Sequence, residues 1–230
     1  MKIAADFSQR EIVHSQTLPW VPSPMAGVDR RALDRVGDEV ARATTVVRYA
    51  PGSQFSPHVH AGGEEFIVLE GVFQDEHGDF PVGSYIRNPP TSSHTPGSKE
   101  GCVIMVKLWQ FQPEDRTHVR LQMNAMGKVA LPHTPGVEVT PLYKDAIEEV
   151  ALYHFGPNAS LHFIALDGAE LFVLEGDITE QQDPLGRHSW ARLPMHHAVA
   201  ITAGVKGAKV WVKTGHLKDV DNQIERVSGA

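Results

Sequence analysis

The stretch that decides the fold is Gly52–Gly71, GSQFSPHVHAGGEEFIVLEG. On an extended strand residues two apart point to the same side, so His58 and His60 aim at one spot while Val59 packs on the other. The Ala61-Gly62-Gly63 segment allows a sharp reversal, because glycine adopts positive φ without steric cost. Glu64 then opens a second strand in which Glu64, Phe66 and Val68 share one face and Glu65, Ile67 and Leu69 the other. One of the two glutamates can thus look at the imidazoles while its neighbour looks away, and Glu64 is the one chosen as the ligand. A His-x-His pair alone is more often a polar exposed face than a ligand pair. Here a carboxylate at turn distance gives the imidazoles a common target, a divalent metal ion.

A further donor is available in Asn88-Pro-Pro-Thr-Ser-Ser-His94, where His94 follows a strand and a proline turn. Three imidazoles (His58, His60, His94) and the Glu64 carboxylate suit Zn, Fe, Mn, Ni or Co, and ligand type alone does not choose among them. Zinc is the first expectation, with iron, manganese or nickel as alternatives. Phe55, Phe66, Tyr85, Met105 and Trp109 are the apolar residues expected to form a pocket beside the ion.

Outward from this stretch the chain is a succession of short strand-like runs, among them ATTVVRYA, GSYIRNPP, GCVIMVKLWQF, EEVALYHFG, LHFIALDG, AELFVLEGDI and AKVWVKTG. Glycine, proline, asparagine or serine punctuates most of them, which predicts an all-β sandwich or barrel. Helical periodicity is weak, and DRRALDRVGDEVARA is its best and doubtful candidate. The chain also repeats itself. VPSPMAGVDRRALDR is echoed by ALPHTPGVEVTPLYK, VVRYAPGSQFSPHVH by ALYHFGPNASLHFIA, and EEFIVLEG by AELFVLEG, at an offset of about 100–110 residues. A period that long means two copies of a small domain. The expected division is an N-terminal segment over 1–20, a metal-binding domain over 21–125 and a degenerate copy without a metal site over 126–230.

Composition excludes several classes. A net charge of −7 with no basic run argues against general nucleic-acid binding. The longest apolar runs are far too short to span a bilayer, and the N-terminus lacks the pattern of a signal peptide. Cys102 is the lone cysteine, so no internal disulfide forms; at the head of an apolar run it reads as a buried small residue. A cytoplasmic location is the default expectation.

Gly52, His58, His60, Glu64 and Gly71 match every fixed position of the first cupin motif, G-x5-H-x-H-x3-E-x6-G. The second motif, G-x5-P-x-G-x2-H-x3-N, is met at Gly83, Pro89 and His94 but departs at Thr91 and Ser98, which puts its turn geometry in doubt. The chain resembles a double cupin, and within that superfamily the C-terminal cupin of ChrR-type anti-sigma factors, a group that also holds acetylacetone-type dioxygenases. The resemblance implies two tandem jelly-roll (double-stranded β-helix) barrels, with His58, His60, Glu64 and His94 as ligands in the mouth of the first. ChrR-type proteins also carry an N-terminal zinc-binding module that grips the sigma factor. The residues before Trp20 are too few to form it, and its paired cysteines are absent.

The second copy keeps Gly156 and His162 at the places of Gly52 and His58. It has Ile164 for His60 and either Gly168 or Ala169 for Glu64, while His196 and His197 lie near the place of His94 but out of register. It reads as a structural copy. The expected function is a ChrR-like metal-binding sensing or regulatory module in transcription regulation, with a small-molecule ligand in the first barrel, a regulatory protein partner and room for a homodimer. The competing expectation is a non-haem metal dioxygenase acting on a small diketone or aromatic carbonyl substrate. No catalytic acid or base declares itself.

Overall fold

β-Branched and aromatic residues fill the alternating runs, and in the computed structural model, which describes residues 1–229, nearly all of them are strands. The chain divides into two compact units. The first comprises residues 1–5, 18–124 and the C-terminal segment from Asp221; the second comprises residues 6–17 and 125–220. The α-helix Val220–Ser228 packs in the first unit, where Gln223 accepts a hydrogen bond from Arg42 Nε at 2.8 Å and Arg226 donates to the Phe111 carbonyl at 2.8 Å. No helix among the described residues is long and apolar enough to cross a membrane.

In the first unit the main sheet runs Lys2–Ile3, Val28–Gly37, Ala41–Tyr49, Cys102–Leu108, Glu64–Asp75, Ser84–Asn88, Val119–Gln122, each strand antiparallel to its neighbours in this order. The segment 29–43, the best helical candidate, is instead the two paired strands Val28–Gly37 and Ala41–Tyr49. Its charges alternate across sheet faces, and Asp34 is buried against Arg42 at 3.2 Å.

The strand Glu64–Asp75 organises this unit. Its first half pairs with Cys102–Leu108 and Ser84–Asn88, its second half with Gly78–Pro81 and Gly97. One face carries Phe66 and Val68 into an apolar cluster with Val28, Val47, Phe73, Ile86, Cys102, Ile104 and Val106. The opposite face is also buried, and its first row is polar. Thr44, Lys107, Glu65 and Arg87 stand in one row across four strands, and Glu65 accepts from Tyr85 Oη at 2.5 Å. Cys102 is buried, as expected, and burial pushes its thiol up to about 11.

The second unit repeats the plan, its sheet running Val129–Ala130, Val137–Lys144, Glu149–Phe155, His197–Thr214, Ala169–Glu180, Ser189–Leu193, Glu11–His14. Lys213, Glu170 and Arg192 form the corresponding row, with Trp190 Nε1 donating to Glu170 at 2.9 Å where Tyr85 serves Glu65. His216 is buried and bonded to Glu170 at 2.8 Å.

The bend in Glu64–Asp75 depends on Gly71, at φ +69°, where a Cβ would lie 2.1 Å from the Gly101 carbonyl oxygen. Gly52 also has positive φ, +77°, but a Cβ there would meet nothing within 4 Å. The left-handed conformation costs an L-residue about 1–2 kcal/mol, and a backbone clash adds to it. Urea denaturation is therefore expected to show Gly52→Ala losing about 1 kcal/mol and Gly71→Ala at least twice that; equal losses would mean the close approach at Gly71 is immaterial.

Candidate metal centre

Local pairing brings the sequence-predicted donors together. The short strand His58–Val59 pairs with Ser93–His94, so His58 and His94 stand directly opposite. His60 is held by its backbone, its N–H donating to the Ser92 carbonyl at 2.8 Å and its carbonyl accepting from Thr91 N–H at 3.0 Å. Thr91 has φ +74°. The turn before His94 thus keeps its left-handed residue although a β-branched side chain occupies it, a strained arrangement. Ser98, the other departure from the motif, donates its hydroxyl to the Val72 carbonyl at 2.7 Å.

The glycine pair works by two different means. Gly63 has φ +77°, whereas Gly62 provides space: a Cβ on Gly62 would lie 2.2 Å from the Trp109 ring. Trp109 and Phe111 press on this turn from outside, fixing the approach of Glu64.

The ligand-type nitrogens of His58, His60 and His94 lie within 4.8 Å of one another, and the three rings are 4.6–4.9 Å apart, centroid to centroid. Glu64 Oε2 stands 3.6 Å from both His60 Nε2 and His94 Nε2. Donors about 2.0–2.1 Å from a tetrahedral ion are roughly 3.3 Å apart, close to that separation, whereas 3.6 Å is too long for a hydrogen bond. His60 Nε2 is buried and has no hydrogen-bond partner among the described residues. His60, His94 and Glu64 are buried; His58 is exposed and opens the cluster to solvent. Three histidines are therefore positioned to bind a metal ion.

Two residues that sequence reasoning missed orient this set. Asp75 Oδ2 lies 3.2 Å from His94 Nδ1 and so turns Nε2 toward Glu64. Asn88, directly opposite Glu64 in the sheet, donates to Glu64 Oε2 at 3.2 Å. His58 Nδ1 is 3.4 Å from the Ser56 carbonyl, which leaves its Nε2 available too. Burial, reinforced by the neighbouring imidazoles, pushes His60 down to about 4, the neutral form a metal requires. At His94 burial acts the same way but is outweighed by the Asp75 hydrogen bond and the Glu64 charge, so its pKa is raised. Asp75, despite burial, is held below the usual carboxylate range by His94 and by the His77 N–H.

Of the apolar residues expected beside the ion, Phe55 and Phe66 lie in or against the cluster on the Glu64 face, and Phe73 approaches His94 with ring centroids 5.7 Å apart. Tyr85 and Met105 do not line it. Both pair with Ile67 and so project from the opposite face, because each residue shares the side of its cross-strand partner.

Residues 8–112 match the family model of the ChrR cupin-like domain. The chain carries a cupin-family domain. No curated protein sequence matches the chain. Similar solved structures include a protein of Nostoc punctiforme proposed to be a dioxygenase (TM-score 0.71, 15% identity, covering 92% of this chain and 84% of that one). The bacterial pirin YhhW of Escherichia coli, in complex with nickel(II), has a TM-score of 0.65 at 14% identity, covering 90% and 98%. A variant of oxalate decarboxylase from Bacillus subtilis has a TM-score of 0.60 at 11% identity, covering 89% and 77%. Identities this low speak for a shared fold only.

The second unit allows a position-by-position comparison. His58 faces His94, and in the second unit His162 faces Ala200. Ile164 follows where His60 would be, and Ala169, after the positive-φ Gly168, opens its strand as Glu64 does after Gly63. His197 is engaged elsewhere, with Glu180 at 3.1 Å.

Replacing Asp75 with asparagine removes the carboxylate that orients His94. Metal affinity, measured by competition with a chelator, is expected to fall about 10–100-fold with the fold retained; unchanged affinity would show that His94 needs no such partner.

Proposed function

We propose that the first unit holds one divalent metal ion through His58, His60, His94 and Glu64, and that the chain serves as a cytoplasmic, ChrR-like sensing or regulatory cupin. The supporting observation is the cluster of three imidazoles, with Glu64 Oε2 at 3.6 Å from two of them and Phe66, Phe73 and Val68 packed on the same face. A fourth protein donor takes up coordination space that a substrate would otherwise use, which favours an ion that organises the barrel mouth over one that turns over substrate. Zinc, redox-inert and content with nitrogen and oxygen donors, fits this role first. In this reading a small molecule, an oxidant or the metal itself changes the barrel mouth, and a protein partner reads the change.

A second reading rests on the exposure of His58. It leaves one side of the centre accessible from solvent, and a metal-dependent dioxygenase acting on a small diketone or aromatic carbonyl compound needs that access. Similarity of fold to the Nostoc punctiforme protein is compatible with it.

Metal analysis of protein purified without added metal, combined with oxygen uptake on acetylacetone, separates the two. One equivalent of zinc per chain and no oxygen uptake is the expected result. Iron together with substrate-dependent oxygen consumption would replace the regulatory reading by the enzymatic one. Under either reading His60→Ala should abolish metal retention and His162→Ala should leave it unchanged. A fall by half in His162→Ala would reveal a second ion in the second unit.

A further inference from the structure

A groove of about 570 Å³ lies in the first unit, away from the histidines, between the strand Lys2–Ile3, the segment 18–24 and the strand Val28–Gly37. Ile3, Leu18, Val21, Pro22 and Ala32 give it an apolar wall, and Val21 is 57% exposed. Arg30, Arg31 and Arg35 line the same space. Among the described residues the side chains of Arg30 and Arg31 find no hydrogen-bond or ion-pair partner, and that of Arg35 donates to the Asp38 carbonyl. Arg31 Nε is buried without a partner, its guanidinium lying 4.0 Å above the Trp20 ring. Arg48 approaches the same ring at 4.5 Å but is neutralised by Asp29 at 2.7 Å. The acidic residues of the groove are Asp38, which accepts from the Met1 ammonium, and Glu39. Positive charge therefore exceeds negative within the groove, although the chain as a whole carries −7.

The fold does not require this cluster. Matching the registers Val28↔Tyr49 and Val137↔Phe155 places Val139 at the position of Arg30, Thr140 at that of Arg31 and His154 at that of Arg48. The pairs Val21↔Arg30 and Val129↔Val139 place Lys128 at that of Trp20. The second unit forms the same strands without arginines. A buried guanidinium nitrogen left unpaired costs about 1–3 kcal/mol, so a partner that arrives with a ligand has a physical reason to be there.

We propose that this groove binds a small amphipathic carboxylate, its alkyl chain along the Ile3–Leu18–Val21 wall and its carboxylate paired with Arg31, with Arg30 adding positive charge to the same groove. The groove volume falls within the roughly 300–1,000 Å³ range of small-molecule sites, and a planar guanidinium matches a carboxylate in two-point geometry. Asp38 and Glu39 on the rim select a monoanion over a phosphate dianion. Burial and the like charge of Arg48 outweigh the attraction of Glu70 and weaken the charged state of Arg31, a cost that an incoming carboxylate offsets.

Calorimetric titration of the metal-containing protein with decanoate, decan-1-ol and acetate tests the proposal. Saturable one-to-one binding of decanoate, at least about tenfold tighter than either control, is expected, with an equal or larger loss in Arg31→Gln and no change in metal content. Arg30→Gln gives an independent reading should Arg31→Gln fail to fold. Equal binding of decanol, or decanoate binding indifferent to both substitutions, overturns the proposal. Binding that disappears in His58→Ala/His60→Ala would assign the carboxylate to the metal centre and also overturns it. A dimer that dissociates in Val21→Arg, with no saturable decanoate binding, would assign the groove to a second copy of the chain.

Discussion

A buried imidazole nitrogen with nothing to bond to is the constraint on which the rest of the first unit turns. His60 Nε2 has no hydrogen-bond partner, and the nearest acceptor, Glu64 Oε2, stops at 3.6 Å. Left so, the nitrogen costs about 1–3 kcal/mol, and the Glu64 carboxylate beside it is buried as well. The surrounding structure does nothing to close the gap. Asn88 holds the Glu64 oxygen, Asp75 turns His94, and the Ser92 and Thr91 backbone fixes His60 in place. Each of these contacts keeps the donors apart at ligand spacing. A cation at their centre satisfies all of them at once, which a proton shared between two of the groups would not.

The two faces of the strand Glu64–Asp75 show how the sheet supports such a site. The Glu64 face is apolar below the histidines, so the ion would have no competing polar donors from the barrel floor. The Glu65 face carries the buried row Thr44, Lys107, Glu65, Arg87, further tied by Tyr85 and by Asp115 at 3.1 Å. Buried charges of this kind add little net stability, but removing one partner costs about 3–5 kcal/mol, so they fix register strongly. A one-residue slip would exchange Glu64 with Glu65 and place a paired glutamate at the site. The charged row thus holds the metal face in position from behind.

The convergence of these side chains was legible because its information is local. Alternation on a strand and a glycine turn place His58, His60 and Glu64, and the motif supplies His94. Asp75 and Asn88 were not, since each reaches the site only through long-range geometry. Asn88 stands opposite Glu64 in a pairing that no spacing encodes, and Asp75 lies in the far half of its strand, beyond the register shift at Leu69 and the left-handed Gly71. The same parity explains why Tyr85 and Met105 were misplaced: an apolar residue on a neighbouring strand belongs to a face only once the register is known. The strand character of 29–43 was hidden by charges such as Asp34 and Arg42, which read as a solvated helix face but are buried against each other. Nothing in the sequence signals that Glu11–His14 joins the sheet of the second unit while the C-terminal helix packs in the first, because both choices depend on partners far along the chain.

Because the chain contains two versions of one plan, it separates scaffold from function internally. The buried glutamate with its arginine and aromatic donor occurs in both units, as Glu65–Arg87–Tyr85 and as Glu170–Arg192–Trp190, and so does the glycine at each strand bend, Gly71 and Gly176. These residues are what the fold demands. The donors His60, Glu64 and His94 have become Ile164, Ala169 and Ala200 in a unit whose strands pair in the same way. The fold therefore tolerates their loss, and their retention in one unit is not a requirement of folding. Trp20, Arg30 and Arg31 fall on the same side of this division, with Lys128, Val139 and Thr140 in their places.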